Sequence, residues 1–188
     1  MKSLIALGFA ALLSTTLSAA PITYAVDTSH TYERFAYTHM GFSQQEQRFD
    51  KTSGSVVYDA AAKSATVDIT IDATSVSTGS ALNEHIQGAD FLDTAKFPTI
   101  TFKSTSVQFN AAGEPASITG DLTIKGVTKP VTLTVTHFKH AQNPMMKKDE
   151  IGANATATIS RSDFNAGKFA PLVDDQLLLT IAFEAQAQ

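Results

Sequence analysis

Five histidines, His30, His39, His85, His137 and His140, are the side chains most suited to metal binding or proton transfer. Neither a HExxH pattern nor any other tight ligand spacing joins them. His137 and His140 stand three apart in a strand and a following loop, where they would not share a face. The serines and threonines lie along strand exteriors, and no GxSxG marks one as a nucleophile. The acidic pairs Asp149-Glu150 and Asp174-Asp175 fall in turns and read as solvated charge. With no cysteine in the chain, thiol chemistry, disulfides and Cys-ligated metals are excluded. No Gly-rich phosphate loop is present. We therefore expect no catalytic residue, no metal and no cofactor, and a binding protein rather than an enzyme.

The elements that would carry a binding site are strands. Period-2 alternation recurs along the chain, in rows rich in Val, Ile, Thr and Phe. Phe35 and Tyr37 form one row, Val67, Ile69 and Ile71 a second, and Ile100 with Phe102 a third. Ile118, Gly120, Leu122 and Ile124 share a face. Val131, Leu133 and Val135 alternate with threonines, and Leu177, Leu179, Ile181 and Phe183 make the last row. Turn signals separate the rows at 59–63, 110–113 and 126–130. The pattern predicts about eight antiparallel strands joined mostly by hairpins. Such strands solve as a sandwich or as a closed barrel, and alternation does not choose between them. In EIGANATATISR, Ala153, Ala155 and Ala157 share the face of Ile151 and Ile159. They leave volume that either bulky neighbours or a ligand must fill.

Residues 80–98 break the rhythm. Ser80 is a candidate cap, Glu84 suits the positive helix end, and Gly88 is a stop. Leu82, Ile86 and Ala89 then form an apolar stripe on a helix of about two turns. Alone it would be marginal, so it must lie on the sheet or across its opening.

The first twenty residues have a different character. Lys2 is their only charge, an apolar run extends from Leu4 to Leu13, and small residues end at Ser18-Ala19-Ala20. This is the layout of a cleavable secretory signal peptide, too short in its apolar core to span a bilayer. Residues 21–188 then form one domain of about 168 residues. Without Lys2 its charge moves from −4 to −5, with 13 basic residues against 18 acidic. A mildly acidic surface argues against nucleic acid and against electrostatic membrane anchoring.

Four motifs in order resemble one family. His30, Phe35, His39 and Gly41 fit its opening pattern. Asp90-Phe91 with Phe97-Pro98 fit the next element, and Gly120 to Thr123 with Gly126 to Val131 fit its most characteristic hairpin. Ser160 to Phe164 fit the last. On these segments, the chain from about Tyr24 to Phe183 is identified as similar to the YceI-like exported polyisoprenoid-binding proteins. The resemblance implies an all-β fold, a lipocalin-like antiparallel eight-stranded barrel with one short helix near one end. It implies a periplasmic protein that holds an isoprenoid chain, a quinone or prenyl phosphate, or a similar long-chain amphiphile in its lumen. Transport, storage and sequestration are all compatible with that; the alternatives are a structural or interaction β-domain with a filled core, or an enzyme acting on a lipid or amide.

The lining then expected is Phe35, Tyr37, Ile69, Ile71, Phe102, Leu122, Ile124, Leu133, Val135, Ile159, Leu179 and Ile181, with Leu82 and Ile86 closing one end. Polar groups near His85, Asn83 or Arg161 would choose the headgroup. Many relatives carry Arg-Asp before the helix histidine, where this chain has Leu82-Asn83, so a polar contact there is missing or rebuilt. Transient membrane contact fits such a cargo. A homodimer, if one forms, would use the helix or Met145-Met146.

Overall fold

Alternation of apolar and polar side chains puts one face of each strand against a common interior. The computed structural model describes residues 20–188. The expected signal peptide, apart from Ala20, lies outside the described residues. The strands are β1 (Ile22–Val26), β2 (Tyr32–His39), β3 (Ser43–Phe49), β4 (Thr52–Asp59), β5 (Ser64–Asp72) and β6 (Val76–Ser77). After helix α1 (Asn83–Gln87) come β7 (Thr99–Phe109), β8 (Pro115–Ile124), β9 (Val127–Gln142), β10 (Asp149–Ser160) and β11 (Gln176–Ala187).

Eight of them close an antiparallel barrel in the order β1, β4, β5, β7, β8, β9, β10, β11, with β11 pairing back onto β1. Closure leaves no edge on that ring. Three further strands, β2, β3 and β6, are added to the expected eight. Their reason lies in β11, which is shared along its length. Ala185–Ala187 pairs with β1, whereas Leu178–Ala182 pairs with β2. The β2–β3 hairpin thus occupies the half of β11 that short β1 cannot reach, and β6 covers the end of β3 through Phe49↔Val76. Thr31 pins the changeover: its hydroxyl donates to the Glu184 carbonyl and accepts from the Glu184 N–H, each at 3.2 Å.

Three local expectations change. The helix is five residues long and is preceded by Leu82 without a side-chain cap, while Ser80 Oγ instead accepts from the Leu82 N–H at 3.2 Å. It is held by burial of Ile86, not by length. The bend expected over 126–130 is only Lys125-Gly126, both at positive φ, and β9 already pairs from Val127. The third change concerns β9 and β10: β9 continues through His140 rather than ending in a loop, and Asp149-Glu150 opens β10 rather than lying in a turn.

A bulge in β9 resets its phase. Val135 opposes Ala155, His137 opposes Asn154, and Phe138 opposes Ala153. One extra residue is absorbed between them. Val131, Leu133 and Val135 face inward before it, Phe138 and His140 after it. Without the slip, His137 and Lys139 would point into the core.

Gly120 also shapes the interior. A Cβ there would stand 2.5 Å from the Phe102 ring, so the bare backbone makes room for that ring inside the barrel.

Candidate functional site

The barrel interior is an apolar cavity of about 460 Å³, within the range of small-molecule sites. Its wall can be followed strand by strand. Phe35 and Tyr37 of β2, Ile69 and Ile71 of β5, and Phe102 of β7 stand on it. So do Leu122 and Ile124 of β8, Leu133 and Val135 of β9, Ile159 of β10, and Leu179 and Ile181 of β11. At the open end Leu82, His85 and Ile86 of α1 join them. Of the alanine row, Ala153 and Ala155 lie on the wall. Small side chains here leave space open that larger ones would fill.

Several wall residues were absent from the expected lining. Phe49, Val56, Tyr58 and Phe138 follow from strand parity once β3, β4 and the β9 bulge are placed. Phe91 and Phe169 come from loops, where no periodicity points to them. Glu33 is another, and alternation with Phe35 and Tyr37 was its available signal, masked by its charge.

The far end is plugged by aromatic rings. Tyr24, wholly buried, packs with Tyr58, Val56, Ile151 and Ala185. Phe138 and His140 meet Tyr58 edge-on. The Tyr24 hydroxyl donates to Asp149 Oδ2 at 2.7 Å, and His140 Nε2 lies 2.9 Å from the same oxygen. Burial pushes the Asp149 carboxyl up, but the hydrogen bonds from Tyr24 and His140 outweigh it and hold the pKa below the ordinary range. Burial, reinforced by Asp149, drives the Tyr24 hydroxyl well above the usual tyrosine range.

The open end is assembled from α1, the β2–β3 hairpin and the segment between β10 and β11. Arg161 organises it. The residue is 7% exposed, and its guanidinium donates to four carbonyls: Asp174 O at 2.9 Å, Ala166 O at 2.9 Å, Lys168 O at 3.2 Å and Val173 O at 2.8 Å. Burial lowers its pKa, with the charges of Asp175, Tyr37 and Asp174 opposing. Asn83 rebuilds the helix contact, accepting from the N–H and hydroxyl of Thr78, both at 2.8 Å. His85 lies against Phe91, ring centres 4.8 Å apart. Met40, Phe42, Leu82, Phe169 and Leu172 give this end an exposed apolar rim. Met145 and Met146 are exposed on the β9–β10 loop at the opposite end.

The remaining histidines do not converge. His39 joins the mouth wall and bridges to Val173. His30 Nδ1 lies 2.9 Å from Asp27 Oδ2 on the outer surface, near Glu184.

Inside the lumen Glu33 is the one carboxylate on the wall among the described residues. Thr52 Oγ1 donates to its Oε2 at 2.5 Å, and among the described residues Glu33 takes part in no ion pair, the adjacent Arg34 being paired with Glu46. Desolvation raises its pKa, and the hydrogen bonds from Thr52 and from its own backbone N–H oppose this without reversing it. Below the ordinary glutamate range both folded and unfolded chains hold the proton. Between that range and the raised folded pKa the unfolded chain loses its proton first, so stability falls as pH rises. Glu33→Gln is therefore expected to flatten the dependence of the urea midpoint over this window. Parallel curves for the two proteins would refute a desolvated carboxyl.

An antiparallel barrel plugged at one end, open at the other and walled mostly by apolar side chains defines a fold of the lipocalin-like kind. More particularly, a YceI-like domain model matches residues 24–185, and the chain belongs to that family. It is 39% identical over 168 residues to Protein YceI of Escherichia coli O157:H7, covering 87% of this chain and 86% of that protein. Among solved structures it is similar to BcnA of Burkholderia cenocepacia, with a TM-score of 0.71 and 29% identity, over 85% of this chain and 99% of that one. A polyisoprenoid binding domain from Saccharophagus degradans, implicated in plant cell wall breakdown, shares the fold at a TM-score of 0.64 and 16% identity, over 89% of this chain and 99% of that domain.

Proposed function

We propose that this protein is an exported, periplasmic carrier that holds a polyisoprenoid or similar long-chain amphiphile in its lumen, for transport, storage or sequestration. The observation that carries the reading is the continuous apolar cavity, walled from Leu82 and Ile86 at the mouth to Tyr58 and Phe138 at the plug. A cavity of that chemistry favours hydrocarbon, since each buried CH₂ contributes about 0.8 kcal/mol. The net affinity is smaller, because a flexible tail must be ordered. The family relationship and the polyisoprenoid binding domain of the same fold support the choice of ligand class. The apolar rim of Met40, Phe42, Phe169 and Leu172 would meet a membrane transiently during loading.

Native mass spectrometry of protein purified from its own host, followed by solvent extraction, tests the proposal. The expected result is a mass increment that disappears on extraction and a long-chain lipid in the organic phase. Protein that carries no lipid, and takes none up from isoprenoid-containing vesicles, would overturn it.

A further inference from the structure

Two polar groups at the mouth are already engaged. Asn83 is held by Thr78, and Arg161 spends four of its N–H groups on carbonyls. Deeper in, the wall carries a different polar feature. Glu33 sits near the changeover from β1 to β2, opposite Ile181 of β11. Its Oε2 takes the hydroxyl of Thr52, itself buried, while its Oε1 has no side-chain partner among the described residues. Toward the mouth on the same inner face, Tyr37 accepts from Gln47 Nε2 at 2.9 Å and makes no other side-chain hydrogen bond among the described residues. Gln47 behind it is 4% exposed, and its Oε1 is buried without a partner. A hydrocarbon laid along this wall would give Glu33 Oε1 and the Tyr37 hydroxyl proton no side-chain partner, which is costly in a dry lumen.

Resting on the lipid-carrier reading, the geometry points to Glu33 as an interior contact for a neutral oxygen-bearing group of the ligand, an alcohol, quinone carbonyl or amide, drawn into the barrel beyond the mouth. A protonated carboxyl donates to a carbonyl, and an ionised one accepts from a hydroxyl or amide. Desolvation, which raises the pKa of Glu33, favours the protonated form. A phosphate brought to the same depth would meet an acidic group, while the adjacent Arg34 is turned to Glu46 at 3.4 Å, so charged headgroups are disfavoured there.

The test measures binding of three probes with one isoprenoid skeleton, phytane, phytol and phytyl phosphate, to wild type, Glu33→Leu and Glu33→Gln. Circular dichroism first verifies that each variant is folded. Wild type is expected to take phytol in preference to phytyl phosphate. Glu33→Leu should weaken phytol about tenfold, the scale of one lost hydrogen bond, while phytane binds as well or better. Glu33→Gln should retain phytol, because an amide can still pair with a hydroxyl. A purely structural Glu33 would shift all three probes by one factor, and that result overturns the inference. So does unchanged phytol binding in Glu33→Leu, or a wild-type preference for phytyl phosphate, which would direct attention to the remaining N–H of Arg161. Phytane binding with any of these failures leaves the lipid-carrier reading standing. Failure of wild type to bind any probe removes both.

Discussion

Ala155→Phe should yield a folded barrel that no longer takes up long-chain lipid. Ala155 lies on β10 between Val135 of β9 and Ile181 of β11, and all three point into the lumen. It is 6% exposed, so a substituent at its Cβ can extend only toward the interior. A phenyl ring there occupies the path between mouth and plug. Displacing a tail from even four carbons of contact removes about 3 kcal/mol, more than a hundredfold in affinity. The fold should tolerate the change, because the ring enters space rather than a filled core. Where packing is tight, overfilling costs about 1–3 kcal/mol. Uptake of a fluorescent isoprenoid alongside thermal unfolding checks both halves. Undiminished uptake by a folded variant would show that the ligand does not pass Ala155.

Gly54→Ala should have the largest effect on folding. Gly54 lies within β4 at φ +136°, a region closed to L side chains, and opposes Ile69 of β5. An added Cβ would fall 2.1 Å from the carbonyl oxygen of Asp68, a backbone atom of the neighbouring strand. Neither strand can yield without breaking the ladder. The position is also where β4 loses its other neighbour, since pairing with β1 ends at Ser55. Backbone strain plus a steric clash with main chain gives an expected loss of about 3–5 kcal/mol, enough to unfold many domains of this size. Urea denaturation with exposed Ser53→Ala as the reference measures it. A midpoint close to that of wild type would mean that β4 can straighten, and that the glycine is incidental.

Much of the cavity wall was legible because strand alternation is a local property. Leu122 with Ile124, and Leu133 with Val135, face the interior for the same reason that they alternate with threonine: a pleat has two sides and only one is dry. Ile69, Ile71, Leu179 and Ile181 follow in the same way. The helix was visible as a break in that rhythm, although its length was not. Five residues suffice once Ile86 is buried, and that burial is a tertiary contribution.

The phase of β9 beyond Val135 could not be read locally. His137 and Lys139 continue the alternation by number, yet Phe138 and His140 face inward because a bulge opposite Asn154 shifts the register. The partner strand imposes that slip. Arg161 illustrates the same limit. It is one cation in sequence, but the carbonyls of Ala166, Lys168, Val173 and Asp174 surround it only after the chain doubles back toward β11.

By itself the sequence determined an all-β chain with apolar inner rows and a short helical interruption, since these depend on neighbours two to four positions apart. Closure of eight strands, insertion of β2, β3 and β6, and the plug of Tyr24, Tyr58 and Phe138 were decided by tertiary structure. So was the space left unfilled in the middle. Whether inward side chains meet or leave a cavity depends on the radius at which the ring closes, and pairing between distant strands sets that radius.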